Sequence, residues 1–175
     1  MSPQILLIVG KSNAGKTTLA EKLIHELKKR SYTIGSVKHT HDRFDFDKKG
    51  KDSWRHKKAG ADAALVITDS RVALVKDDSR KPIEKMQDYL GGMDLILVEG
   101  FKRQAQPKIE IFRTDSDHKA PFCLEDPHLA AFVTDSNIRP NRPDIPVFGL
   151  EEAVKLADFI EASYILPEKE KTNET

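Results

Sequence analysis

Residues Gly10-Lys11-Ser12-Asn13-Ala14-Gly15-Lys16-Thr17 have the types and spacing of a phosphate-binding loop. In such a loop the backbone N–H groups face phosphate oxygens, and the glycines admit a turn that side chains would block. Lys16 is placed to reach the β and γ phosphates, the Thr17 hydroxyl to ligate Mg²⁺, and Thr18 to continue the cradle into the first helical turn. A second chemical residue is Glu99, which ends the apolar run Leu95-Ile96-Leu97-Val98 and is followed by Gly100. An acid there can hold Mg²⁺ directly or through water, or orient an attacking water. Asp135, in Val133-Thr134-Asp135-Ser136, follows a late apolar stretch, where an aspartate can accept from the guanine N1–H and N2–H groups. The usual Asn/Thr-Lys-x-Asp signature is missing its lysine. Together these residues predict a site for a nucleoside triphosphate with Mg²⁺, with Lys16 and Glu99 as the groups that act on the phosphates, and they leave the base open.

The elements around these residues must deliver them. Ile5–Val9 is an apolar run that reads as a buried strand, and apolar positions 19, 20, 23, 24 and 27 form a helical stripe after the loop. That helix aims its N-terminus at the phosphates. Strands are expected at 33–39, 95–98, 108–113, 129–134 and 146–148, with a hairpin from 63–68 and 71–75 turning at Asp69-Ser70. Helices are expected from 52 or 53 to 58, from 82 to 90 and from 151 to 165. Strand–helix–strand alternation predicts an α/β protein, a three-layer P-loop NTPase fold whose largely parallel, mixed sheet is flanked by helices. Residues 1–166 read as one nucleotide-binding domain and 167–175 as a polar, disordered tail.

Composition narrows the partners. A chain of 175 residues with 38% hydrophobic content can build one real core. Its 29 basic and 28 acidic residues leave a net charge of +1, which gives no bulk attraction to nucleic acid or to an anionic membrane. The single cysteine, Cys123, excludes an intrachain disulfide. No apolar stretch approaches a membrane span and no signal peptide opens the chain, so a cytoplasmic location is expected.

Two further features carry open readings. His39–Asp47 is rich in histidine and aspartate, yet lacks ligand spacing for zinc, and reads as a switch loop sensing the γ phosphate or as a plain exposed loop. Lys11 stands five residues before Lys16, the spacing of an extra lysine in dimeric phosphate-loop proteins that touch a neighbour's nucleotide. Ser12 and Asn13 occupy places where such proteins carry glycines.

The loop together with Val37-Lys38-His39-Thr40-His41, Gly50-Lys51-Asp52-Ser53, Lys58-Ala59-Gly60-Ala61 and Asp94–Lys102 resembles the molybdopterin-guanine dinucleotide biosynthesis adaptor (MobB) family. The resemblance implies a GTP-binding homodimer with weak intrinsic GTPase activity. It also implies a guanylyltransferase that joins GMP to molybdopterin as partner, and molybdopterin or its guanine dinucleotide as a further ligand. The nucleotide motifs show no arginine finger or water-positioning glutamine, which points to slow hydrolysis. The competing readings are an ATP-dependent small-molecule kinase with an acceptor pocket in 41–58, and a regulatory switch whose only output is protein binding.

Overall fold

A computed structural model of the chain describes residues 3–40, 47–116 and 118–166. Residues 41–46 of the expected switch loop His39–Asp47, and the tail 167–175, lie outside the described residues. The chain divides into two compact units, one of residues 1–39 with 86–175 and one of residues 40–85.

The larger unit holds a parallel sheet, built from β1 (Gln4–Val9), β2 (Ile34–Lys38), β5 (Leu95–Glu99), β6 (Lys108–Phe112), β7 (Leu129–Thr134) and β8 (Val147–Phe148) in the order β2-β5-β1-β6-β7-β8. Strands β1 and β5 read as unbroken apolar runs because both faces are covered, the usual condition of a parallel sheet. Helix α1 (Lys16–Lys29) leaves β1 and packs Leu19, Leu23 and Leu27 against Leu6, Ile8, Leu97, Ile109 and Val133. Helix α4 (Ala153–Ile160) joins it on this face through Leu156, Ala157 and Ile160. The expected closing helix changes at Glu161 into a π-helical turn, Glu161–Ile165. There Glu161 accepts from Tyr32 Oη at 2.6 Å and pairs with Arg30, tying this turn to the C-terminal end of α1.

The chain leaves β1 toward β2 on one side of the sheet and leaves its neighbour β6 toward β7 on the other, so a switch point lies between β1 and β6. Ligands of open α/β sheets collect at the carboxyl ends of the strands at such a switch point. On the opposite face Leu90 and Met93 crowd Gly35, where an added Cβ would lie 3.1 and 3.3 Å from them. Helix α3 (Pro82–Tyr89) precedes them.

The smaller unit contains α2 (Asp52–Lys58) and the antiparallel hairpin of β3 (Ala63–Ile67) and β4 (Val72–Lys76). Lys57 Nζ donates to Ala61 O, Asp62 O and Asp77 Oδ2 at 2.7–3.0 Å, which fixes α2 to the hairpin. Leu65, Val66, Ile67, Val72 and Leu74 of the hairpin are exposed.

Candidate nucleotide site

Strand β1 ends at Val9, and the chain turns through residues 10–15 into α1. Gly10 passes so near β6 that a Cβ would stand 2.6 Å from Ile111 O, and Gly15 caps α1 at φ 91°. Asn13 also adopts a left-handed backbone, at φ 61°, a conformation asparagine tolerates better than most residues. No acidic side chain sits in the first turn of α1, and Gly15 supplies no side-chain cap. The first N–H groups of the helix therefore keep their donor capacity and positive field for an anion.

Lys16 Nζ donates to Lys11 O at 2.7 Å, which folds the lysine back over the loop. Burial lowers its pKa, Glu99 opposes that, and the charges of Lys38 and Lys102 add to the lowering. A bound polyphosphate would oppose that lowering, because an adjacent negative charge favours the ammonium.

Thr17 Oγ1 donates to Glu99 Oε2 at 2.9 Å, joining two elements that are 82 residues apart in sequence. Lys38 pairs with the other Glu99 oxygen, Oε1. The register explains this contact, since Lys38 and Glu99 are direct partners on neighbouring strands β2 and β5. Burial raises the Glu99 carboxyl, but hydrogen bonds from Lys38 and Thr17 and the charges of Lys38 and Lys16 outweigh it and leave the group below its ordinary value. The carboxylate is thus held ionised. A hydroxyl and a carboxylate side by side are hard oxygen donors, and Mg²⁺ takes one or two such protein ligands and completes its shell with phosphate and water. The residues fit that ion. Beyond Glu99, Phe101 adopts φ 66° and stacks on His39 with ring centroids 4.0 Å apart.

The structure thus brings together the loop 10–17, Thr18 and Glu99. Lys11 contributes its carbonyl to Lys16, and its side chain is half-buried. Asp135 lies after β7 and accepts from Thr114 N at 2.8 Å and Thr114 Oγ1 at 3.1 Å, fixing the loop that follows β6. Lys38 is a site residue that motif reading named only as part of a block, because its proximity to Glu99 depends on strand register. Asp94, just before β5, accepts from Thr33 N and Oγ1 and ties that strand to the segment leading into β2.

Residues 5–135 match the family described as Molybdopterin guanine dinucleotide synthesis protein B, MobB. The chain belongs to the MobB family. It is 37% identical over 163 residues to the molybdopterin-guanine dinucleotide biosynthesis adapter protein of Haemophilus influenzae, covering 90% of this chain and 87% of that one. It is 36% identical over 161 residues to the adapter protein of Escherichia coli K12, covering 89% and 90%. The crystal structure of Bacillus subtilis MobB shares the fold with a TM-score of 0.71 at 24% identity, over 91% of this chain and 96% of that one. Family membership and fold therefore agree with the site's geometry: a strand, a phosphate loop and a helix, with an acid on the neighbouring strand.

Proposed function

We infer that the protein is a GTP-binding adaptor of molybdenum cofactor biosynthesis, acting at the step that forms molybdopterin guanine dinucleotide in the cytoplasm. The observation that carries this reading is the Lys16–Thr17–Glu99 arrangement on an open helix N-terminus, within a chain whose relatives are named for that synthesis. Residues 10–18 hold the phosphates, with Lys16 neutralising the β and γ groups, while Thr17 and Glu99 hold Mg²⁺. When bound, the ion would supply positive charge to offset that of the phosphates. Lys38, paired with Glu99, adds positive charge at the end of the loop where the phosphates would sit. Asp135 retains a lone pair on each oxygen beyond its bonds to Thr114, and these can accept from guanine N1–H and N2–H.

The partner is a molybdopterin guanylyltransferase, and molybdopterin or its guanine dinucleotide is the cargo. The protein acts as a homodimer. This is supported by the hairpin β3–β4, since an isolated two-stranded sheet is marginal in water and its apolar residues are exposed. Lys11 is available to a neighbour's nucleotide in such a dimer.

Calorimetric titration with GTP, GDP and ATP in Mg²⁺ tests the reading. GTP is expected to bind more tightly than ATP, and Glu99→Gln to weaken the Mg²⁺-dependent part of the affinity. Preference for ATP with acceptor-dependent ADP release would overturn it in favour of a kinase.

A further inference from the structure

We propose that the cleft beside the first two turns of α1 is the subsite for the nucleoside of the bound nucleotide, and that Arg113 reads the O6 and N7 edge of a guanine-type base. The proposal rests on the nucleotide reading above and adds the residues that select the base. The cleft measures about 130 Å³, room for part of a ligand rather than a whole nucleotide, whose pockets usually exceed ~300 Å³. Thr18, Lys22, Arg113 and Glu151 form its polar rim, and Ile111 and Leu150 are among its apolar walls.

Its position follows from the sheet order. β5, bearing Glu99, lies on one side of β1, and β6, bearing Ile111 and leading to Arg113, lies on the other. Thr17 turns to Glu99, whereas Gly15 and the next helical residue, Thr18, line the cleft. A nucleotide with its terminal phosphate at Glu99 therefore runs along the loop with its nucleoside toward β6 and the segment after β8.

The chemistry of the rim points to a purine bearing a 6-oxo group. Arg113 Nε is buried and makes no hydrogen bond among the described residues. One guanidinium arm, Nη2, is anchored on Asp115 at 2.6 Å. The loop that carries the arginine is fixed twice more, by Asp135 on Thr114 and by Ser116 Oγ donating to Arg113 O at 2.8 Å. The outer end of the anchored guanidinium, Nη1 with the second Nη2 hydrogen, takes no partner among the described residues, and this pair of donors matches the O6 and N7 acceptors of guanine, whereas adenine would face it with its N6 amino donor. Lys22, paired with Glu151 Oε2 at 2.8 Å, closes the outer side of the cleft.

The test titrates wild type, Arg113→Ala and Arg113→Lys with GTP, ITP, ATP and inorganic tripolyphosphate at fixed Mg²⁺. ITP keeps O6, N7 and N1–H but lacks the N2 amino group, so it removes one of the two donors assigned to Asp135 while leaving the arginine's acceptors in place. Arg113→Ala is expected to weaken GTP and ITP alike by about ten- to a hundredfold while leaving ATP and tripolyphosphate unchanged. Arg113→Lys keeps the charge and the stem but not the fork, and should lose GTP and ITP affinity in the same sense; it decides the matter if the alanine variant fails to fold. Variants that retain the wild-type ratio of GTP to ATP overturn the subsite and leave the phosphate site standing. A wild-type protein that binds neither GTP nor tripolyphosphate overturns the nucleotide reading itself.

Discussion

Two lysine–glutamate groups on this sheet look alike in sequence and behave oppositely in the structure. On β6, Lys108 and Glu110 are each only 1% exposed, and both are bonded inside the protein. Lys108 Nζ donates to Lys102 O, Gln104 O and Asp126 Oδ2, using all three of its protons. Glu110 accepts from Phe122 N at 2.7 Å and Cys123 N at 2.9 Å, one donor on each oxygen. At the phosphate loop, Lys16 makes one hydrogen bond, to Lys11 O, and Glu99 stands at the open end of β5 with only a hydroxyl and an exposed lysine upon it. Lys108 is saturated, and the first pair clamps the loops that follow β5 and precede β7. The second keeps capacity for something from outside, since Lys16 has two protons without a partner among the described residues. The two lysines differ in the number of partners found, three against one, whereas the two glutamates accept two donors each and differ in what those donors are: sealed backbone N–H groups on Glu110, a hydroxyl and an exposed lysine on Glu99.

Removing a member of the buried pair should produce the largest effect. Lys108→Met leaves Asp126 and two carbonyls without their donor, and breaking a buried ion pair from one side costs about 3–5 kcal/mol. Denaturant unfolding should show that loss, with the midpoint falling and the slope unchanged. Near-wild-type stability would place Lys108 with the unsaturated group and undo the contrast.

Lys16→Ala sharpens the contrast from the other side. Losing a charge-assisted hydrogen bond to phosphate costs about 1.5–3 kcal/mol, a loss of roughly ten- to a hundredfold or more in GTP affinity. Its unfolding midpoint should stay near wild type, since the protein supplies the ammonium with one partner only. A variant that binds GTP normally would remove Lys16 from the site.

The contrast also marks what could be read without coordinates. The loop, α1, β1 and the β5 strand ending in Glu99 were legible, because a phosphate loop is local and a strand buried on both faces is an unbroken apolar run. The strand at 108–112 was placed, but the burial of its charges was not: Lys-Ile-Glu-Ile-Phe alternates like a half-exposed strand, and distant loops cover its polar side. Lys38 beside Glu99 is a matter of register between strands 61 residues apart. The cleft around Arg113 was illegible for the same reason, as it is assembled from α1, β6 and the segment after β8. The turn at Glu161 departs from the α-helical period that marked the closing helix, and the ties to Arg30 and Tyr32 that accompany it are tertiary.

A smaller effect is expected at Glu110. In Glu110→Gln the amide presents donors to one of the two backbone N–H groups, and an orphaned buried donor costs about 1–3 kcal/mol. The variant also has a pH signature. Burial raises the Glu110 carboxyl above its ordinary value, the N–H groups of Phe122 and Cys123 and the charge of Lys11 oppose this, and Asp126 adds to it. A group whose folded value is raised binds more protons in the folded chain than in the unfolded one between the two values, so its contribution to stability falls as pH rises through that window. Wild type should show that decline just above the ordinary carboxyl range in urea midpoints measured across pH, and the glutamine variant should lack it. Parallel profiles for the two proteins would mean that the clamp holds its carboxylate without strain.

The smallest change should follow from Lys38→Met. Lys38 is largely exposed, with 63% of its side chain open to solvent, and its pair with Glu99 sits at the end of the sheet. Exposed pairs of this kind contribute about 0–1 kcal/mol, so the unfolding midpoint should barely move. GTP affinity should nevertheless fall by several-fold, because the variant removes one of the cations gathered about the phosphate end, a small electrostatic loss of about 1 kcal/mol. That combination, binding altered while stability is not, is the reverse of the pattern expected for Lys108. If Lys38→Met instead destabilised the fold and left GTP affinity alone, the pair with Glu99 would belong to the scaffold, and the unsaturated group would shrink to Lys16 and Thr17.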